Sequence, residues 1–201
     1  MIVGVLLAAG QGTRFGAHKL LHRLDDGMSI AEHAARNLIA ALPTSLAVIR
    51  PGDIVLQNIL TSQGLTVIEC ADAAQGIGAS LACGVSATPA AAGWAIALAD
   101  MPWIQPQTIA HVAQKLQQGA GIVAPLYQGR RGHPVGFAAT FRELLLALQQ
   151  DRGARDLIEA NQESLVLTNT DDAGVLRDVD VPADAVSSTA DSKRCASTDD
   201  R

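Results

Sequence analysis

The sequence predicts an α/β fold of three layers, a mainly parallel sheet covered by helices on both faces. Two observations carry this. Apolar runs of strand length alternate with segments of helical pattern along the chain, which is the signature of βαβ units. Apolar residues make up 48% of the chain but aromatic residues only 3%, so Ala, Leu, Val and Ile must fill the interior, a composition suited to strands buried on both faces. At 201 residues the chain is long enough for one sizeable domain and too short for two comfortable ones.

The first element is a continuous apolar strand over 2–9 that breaks at Gly10. Ser29-Ile30-Ala31-Glu32 reads as a capping box, so a helix should start at Ser29 and run to about Leu42, where Pro43 stops it. Further strands are expected over 46–49, 66–69, 95–99, 121–125 and 165–167. Further helices are expected over 78–85, 106–118, 140–149 and 154–161. Residues 126–137 interrupt the alternation with glycines, two arginines, a histidine and a proline. An insertion of that kind late in an alternating fold is expected to shape a substrate pocket. After Asp184 the chain is Ala, Ser, Thr, Asp and Lys/Arg without an apolar period. The expected organisation is therefore one domain over 1–184 and a tail over 185–201 without a fold.

A net charge of −5 argues against a nucleic-acid backbone or an anionic membrane as the main partner. Cys70, Cys83 and Cys195 have no CxxC spacing, which suggests reduced thiols and no metal cluster. The opening apolar run is too short for a signal or membrane helix, so the expected location is cytoplasmic. His18, His22, His33 and His111 show no ligand spacing and read as structural or surface residues.

The chemistry concentrates at strand ends. The first strand runs into Ala8-Ala9-Gly10-Gln11-Gly12-Thr13-Arg14-Phe15-Gly16, with Lys19 close behind. Glycines permit close backbone approach, and amides with two cations meet phosphate charge, so this turn reads as a triphosphate holder. Its spacing is neither the dinucleotide fingerprint nor a P-loop. The run 95–99 ends in Asp100-Met101-Pro102, which puts a carboxylate in the crevice where open α/β sheets bind ligands. Beside a triphosphate that acid is placed to hold Mg²⁺; the alternative is an Asp that merely starts a turn. Asp178 and Asp180 alternate onto one face of a short extended segment. Asp180 is a candidate second metal ligand, or part of a solvated acidic edge.

Gln75-Gly76-Ile77-Gly78-Ala79-Ser80 precedes a small-residue helix. Gly76 would let a flat base approach and Ser80 offers its hydroxyl; close helix packing is the equal alternative. Arg130, Arg131 and His133 among glycines look like a site for an acceptor phosphate, or else a solvated basic loop. Gly153-Ala154-Arg155 adds a cation at a helix start.

Taken together and in this order, these segments resemble the molybdenum cofactor cytidylyltransferase branch of the MobA-like nucleotidyltransferases. The matching residues are 7–16 with Lys19, 76–84, 98–102, 129–137, 153–155 and 178–184. The resemblance implies a nucleotide-diphospho-sugar-transferase-like domain that transfers CMP from CTP to molybdopterin and releases pyrophosphate. It further implies xanthine-dehydrogenase-type molybdoenzymes as downstream partners. By carry-over Ala8, Ala9, Gly10, Gly12, Arg14 and Lys19 hold the triphosphate, with Arg14, Lys19 and Asp100 catalytic. Asp100 and Asp180 hold Mg²⁺, Gly76 and Ser80 meet the base, and Arg130, Arg131, His133 and Arg155 meet the acceptor. Ala-Ala-Gly in the first turn is closer to the cytidylyl form than to the Gly-Gly of guanylyl relatives. Val181 departs from the family's Asp-x-Asp-Thr-Pro. The rival readings are a transferase using GTP or acting on a sugar phosphate or phosphoalcohol, and a non-catalytic nucleotide-binding chaperone for molybdoenzymes.

Overall fold

Among the described residues, eight strands make one mixed sheet: β1 (Ile2–Leu7), β2 (Ser45–Ile49), β3 (Thr66–Glu69), β4 (Gly93–Leu98), β5 (Ile122–Tyr127), β6 (Arg130–Arg131), β7 (Val135–Ala138) and β8 (Leu165–Asn169). Their order is β3-β2-β1-β4-β7-β5-β6, with β8 also paired to β5. The computed structural model describes residues 1–10, 18–148, 153–181 and 184, so the expected tail over 185–201 lies outside the described residues. Strands β1, β2, β3 and β4 run parallel, as do β5 and β8. Only β6 and β7 are antiparallel to their neighbours.

Alternation along the central strands divides the core in two. Ile2, Leu6 and Ala8 of the first strand, with Ala95, Ala97 and Ala99, face one layer, built on helices α1 (Ile30–Ala41), α2 (Ile54–Ser62) and α4 (Pro106–Gln117). Val3, Val5, Leu7 and Ala9, with Trp94 and Ile96, face the other, built on α3 (Ile77–Ser86), α5 (Arg142–Leu146) and α6 (Arg155–Ala160). This is the three-layer arrangement expected from the apolar runs. Alanines in β4 let α1 and α4 settle close to the sheet, while the fully buried Trp94 fills the opposite side and donates its indole N–H to Thr88 Oγ1 at 2.7 Å.

The capping box at Ser29 forms as read. Ser29 Oγ accepts the Glu32 N–H, and Glu32 accepts the Ser29 N–H at 2.6 Å. Helix α2 was not expected. Its sequence is rich in β-branched residues, and Ile54 and Val55 are exposed on its first turn, so the apolar period is blurred. Asp53, which follows a Pro-Gly turn and caps Leu56 N–H at 3.2 Å, was the available signal. The expected helix over 140–149 is broken into a 3₁₀ turn (Ala139–Phe141) and the five-residue α5. Phe141 turns inward there to pack edge-on against Phe137, with ring centroids 6.4 Å apart; residue 149 lies outside the described residues. The interruption at 126–137 is itself sheet: β5 turns through Gln128 and Gly129, both at positive φ, into β6, and the chain returns as β7.

After β8 the chain crosses back over the carboxyl edge of β4. Asp172 organises this crossing. Its buried carboxylate accepts the Gln105 N–H at 2.8 Å, the Thr108 hydroxyl at 2.8 Å and the Gly174 N–H at 2.9 Å, joining the crossing to the start of α4. Arg177 stacks on Trp103 at 4.0 Å, and Val179 N–H donates to Asp100 C=O at 3.0 Å. Gly132 lies so close beneath that a Cβ there would stand 2.5 Å from Val175 O. Replacing Asp172 by Ala would strand two backbone N–H groups and a hydroxyl in the interior. Asp172→Ala should therefore lose about 3–5 kcal/mol, read as a lower urea midpoint at unchanged slope, with Asp172→Asn losing less.

Candidate active site

The carboxyl ends of β1 and β4 open into a cleft of about 670 Å³. Ala8, Ala9, Gly10, Lys19, Gly76, Ser80 and Asp100 line it, as the sequence reading grouped them. Gly12 and Arg14 lie outside the described residues. His18 and Arg50 also line the cleft and were not among the expected residues.

Lys19 opens a 3₁₀ turn (Lys19–Leu21) anchored by the buried Leu20. Its ammonium sits 2.7 Å from Asp100 Oδ2 and 3.4 Å from Asp180 Oδ1, with only 12% of the side chain exposed. Asp100 arrives from the end of β4, and Asp180 is brought beside it by the Val179–Asp100 backbone bond. Val179 is wholly buried, so Asp180 on the next position points the other way, toward the cation. Asp184 fixes this turn: its carboxylate accepts the N–H groups of Asp180 at 3.0 Å and Val181 at 2.9 Å. Those donors, the Val181 N–H first, hold the Asp184 carboxyl below the usual carboxylate range.

The connection from β2 to α2 grips both sides of residues 11–17. Arg50 donates to Gly10 C=O at 2.8 Å, and Asp53 meets His18 Nε2 at 2.7 Å while its other oxygen caps α2. A cation directly after the strand over 46–49 was the sequence signal for Arg50, by the same logic that singled out Asp100.

Helix α3 forms the opposite wall. Gly84 lets it approach β1, since a Cβ there would stand 2.7 Å from Val5 Cγ1. That closeness carries Gly76, at φ 124°, and the buried Ser80 to the cleft. Away from the cleft, Cys70 and Cys83 are free thiols beside one another, and burial pushes the Cys83 thiol up to about 11.

The four residues expected at an acceptor site do not line this cleft. Arg130 and Arg131 are exposed on β6, which pairs with the carboxyl end of β5. Arg155, at the start of the six-residue α6, is exposed and paired with Glu159 at 3.2 Å. His133 lies nearest. Its N–H donates to Val175 C=O at 3.0 Å, and its buried Nδ1 has no hydrogen-bond partner among the described residues. Burial holds this imidazole below its ordinary value of 6.5, opposed by the Asp100 charge and assisted by Arg131.

The two carboxylates suit a hard divalent cation. They already converge on one positive charge, and two protein oxygens leave the remaining positions to phosphate oxygens and water. Among the described residues no group of three or more His, Cys, Asp or Glu could hold a metal unaided. No helix among them is long and apolar enough to cross a membrane.

Strand order, layering and the cleft at the carboxyl edge define a nucleotide-sugar-transferase-like α/β domain. Residues 4–165 match the MobA-like NTP transferase domain, and the chain belongs to that family, which makes it a nucleotidyltransferase of the MobA-like kind. No curated protein matches it. Among solved structures it is similar to Rv0371c from Mycobacterium tuberculosis, at 25% identity over 91% of this chain and 94% of the other, with a TM-score of 0.80. Another structure of Rv0371c is a complex with manganese. A nucleotidyl transferase from Methanothermobacter superimposes at 0.78, with 22% identity over 92% and 94% of the two chains. Molybdopterin-guanine dinucleotide biosynthesis protein A from Archaeoglobus fulgidus gives 0.61, with 17% identity over 92% and 95%.

The buried His133 sets a pH dependence. An unfolded chain protonates it near 6.5, whereas the folded chain resists until lower pH, so stability is unaffected above 6.5 and falls as pH drops below it. Urea midpoints measured from pH 7.5 to 5.5 should decline for the native chain and decline less for His133→Gln; equal slopes would place the histidine in solvent.

Proposed function

We propose that the chain transfers CMP from CTP to molybdopterin, with Mg²⁺ and with release of pyrophosphate. The observation that carries this reading is the convergence of Lys19, Asp100 and Asp180 at the mouth of a cleft whose floor is the Ala8-Ala9-Gly10 strand end. The Ala-Ala-Gly form of that turn supports cytosine over guanine. The manganese complex of Rv0371c supports a divalent ion at such a site.

In this reading the backbone beyond β1, with Arg14 and Lys19, holds the triphosphate, while Gly76 and Ser80 on α3 receive the base. A terminal phosphate oxygen of the acceptor attacks the α-phosphorus, one P–O bond forms, and the bond to the β-phosphate oxygen breaks. The nucleophile is already an anion, so no residue needs to remove a proton. Asp100 and Asp180 would hold the Mg²⁺, whose chemistry is to neutralise charge on the phosphate oxygens and the leaving group. Arg50 keeps Gly10 in place, and Arg130, Arg131, His133 and Arg155 would meet the acceptor from the β6 side. The domain responsible is residues 1–184, acting in the cytoplasm, with molybdoenzymes of the xanthine dehydrogenase type receiving the product.

Purified protein given molybdenum-loaded molybdopterin, Mg²⁺ and either CTP or GTP should yield a cytosine dinucleotide and pyrophosphate from CTP alone, identified by mass spectrometry. Product from GTP alone would reverse the base assignment. Asp100→Ala should lower turnover at least about a thousandfold while leaving circular dichroism unchanged; retained activity would remove Asp100 from the metal site. Arg130→Ala and Arg131→Ala should each raise the acceptor KM about tenfold with little change in the CTP KM. Equal changes in both would move the acceptor elsewhere.

A further inference from the structure

The contact of Lys19 with both acids does more than neutralise them. Its ammonium stands between Asp100 Oδ2 and Asp180 Oδ1, at 2.7 and 3.4 Å, where a cation held by the same two oxygens would have to sit. A divalent ion bonds carboxylate oxygens at about 2.1 Å, so a lysine ammonium kept on those oxygens would face it at close range, like charge against like. The lysine does not have to leave the cleft to make way. Its backbone is fixed by the turn that starts at His18, its stem is a flexible four-carbon chain, and the cleft it lines also contains Gly10 at the end of β1. A polyanion at that strand end offers the ammonium a stronger partner than two carboxylates.

Resting on the reading of this cleft as a metal-dependent nucleotidyl-transfer site, we propose that Lys19 is a resident counter-ion for the Asp100–Asp180 pair. A divalent cation replaces it there, and a bound triphosphate draws it away. Three consequences follow from the charges. Without nucleotide, the lysine competes with the metal and the protein takes up metal weakly. With nucleotide, the lysine is committed to phosphate and the pair of acids is released to the metal. Because the coupling is thermodynamic, it is reciprocal: metal must tighten nucleotide binding by the same factor by which nucleotide tightens metal binding. Lys19 is in this sense a residue that couples two ligands, apart from any charge it supplies during transfer.

The test is Mn²⁺ binding to the full chain, followed by the loss of the free-ion electron paramagnetic resonance signal, for the native protein and for Lys19→Met. Each is measured alone and with an α,β-methylene analogue of CTP, which cannot be cleaved. Without the analogue, Lys19→Met should bind Mn²⁺ about tenfold tighter than the native protein, within the usual range for coupling between sites. The analogue, whose phosphates add ligands to the metal, should tighten Mn²⁺ binding to both proteins, but to the native protein by about tenfold more than to the variant. Lys19→Gln, which keeps a polar end, and a melting curve for each protein guard against a folding defect; both variants should behave alike. If the variants bind Mn²⁺ no tighter than the native protein, yet the native protein binds it with the analogue present, Lys19 is no counter-ion and the metal reading survives. If no protein binds Mn²⁺ under either condition, the metal reading falls and takes this proposal with it.

Discussion

Six residues of β1 lie in parallel register with six of β4, from Ile2 beside Gly93 to Leu7 beside Leu98. This pairing is the constraint on which the site depends. Parallel strands release their chains on the same edge, so the two segments richest in chemistry, the glycine turn and Asp100, leave the sheet as neighbours. The register continues past the strand ends, with Ala99 N–H on Leu7 C=O at 3.0 Å and Ala8 N–H on Val48 C=O at 2.9 Å. A slip of one residue would turn Ile2, Leu6 and Ala8 toward the wrong layer, so burial on both faces enforces the alignment.

Around that pair, other parts of the chain act as braces. The β2–α2 connection holds Gly10 through Arg50 and His18 through Asp53, so one four-residue stretch fixes the chain before and after residues 11–17. The crossing after β8 is held by Asp172 and by Arg177 on Trp103, and it delivers Asp180 to Asp100. The result is a small cluster of opposite charges at the mouth of the cleft, held by backbone bonds rather than by the charges themselves. Ion pairs at partly exposed positions stabilise a fold little, so the cluster is better understood as a poised arrangement than as a structural fastening.

Much of this was legible in the chain. Among the described residues the apolar runs located six of the eight strands. Strands β1, β2, β4 and β5 are buried along most of their length and leave an unbroken signal, while β3 and β8 at the margins were found by short β-branched and apolar runs. The capping box named the start of α1 to the residue, since both of its hydrogen bonds are local. Asp100 was legible because strand, acid and proline follow one another directly. Strand β6 escaped although its pairing with Tyr127 and Leu126 is local, because two charged residues after a Gln-Gly turn carry no apolar period. The role of Asp172 was decided at a distance in sequence: nothing near it says that it reaches Thr108. Helix α2 escaped for the opposite reason: its exposed Ile54 and Val55 give the pattern of neither an amphipathic helix nor a strand.

The reversed strand β7 has a consequence for how such a protein can change. Lying antiparallel between β4 and β5, it separates the sheet into a wound parallel half and a half that combines the β5–β6 hairpin with the parallel β5–β8 pair. The wound half is tied together by crossovers, and an insertion there would disturb two layers at once. Within the other half β5 and β6 are joined by the Gln128–Gly129 turn, whose two residues are exposed and belong to neither core cluster. Lengthening or recharging that turn need not disturb the cleft at the ends of β1 and β4. In the reading proposed above, the donor side is kept while the second substrate is exchanged by substitutions on β6 and its turn.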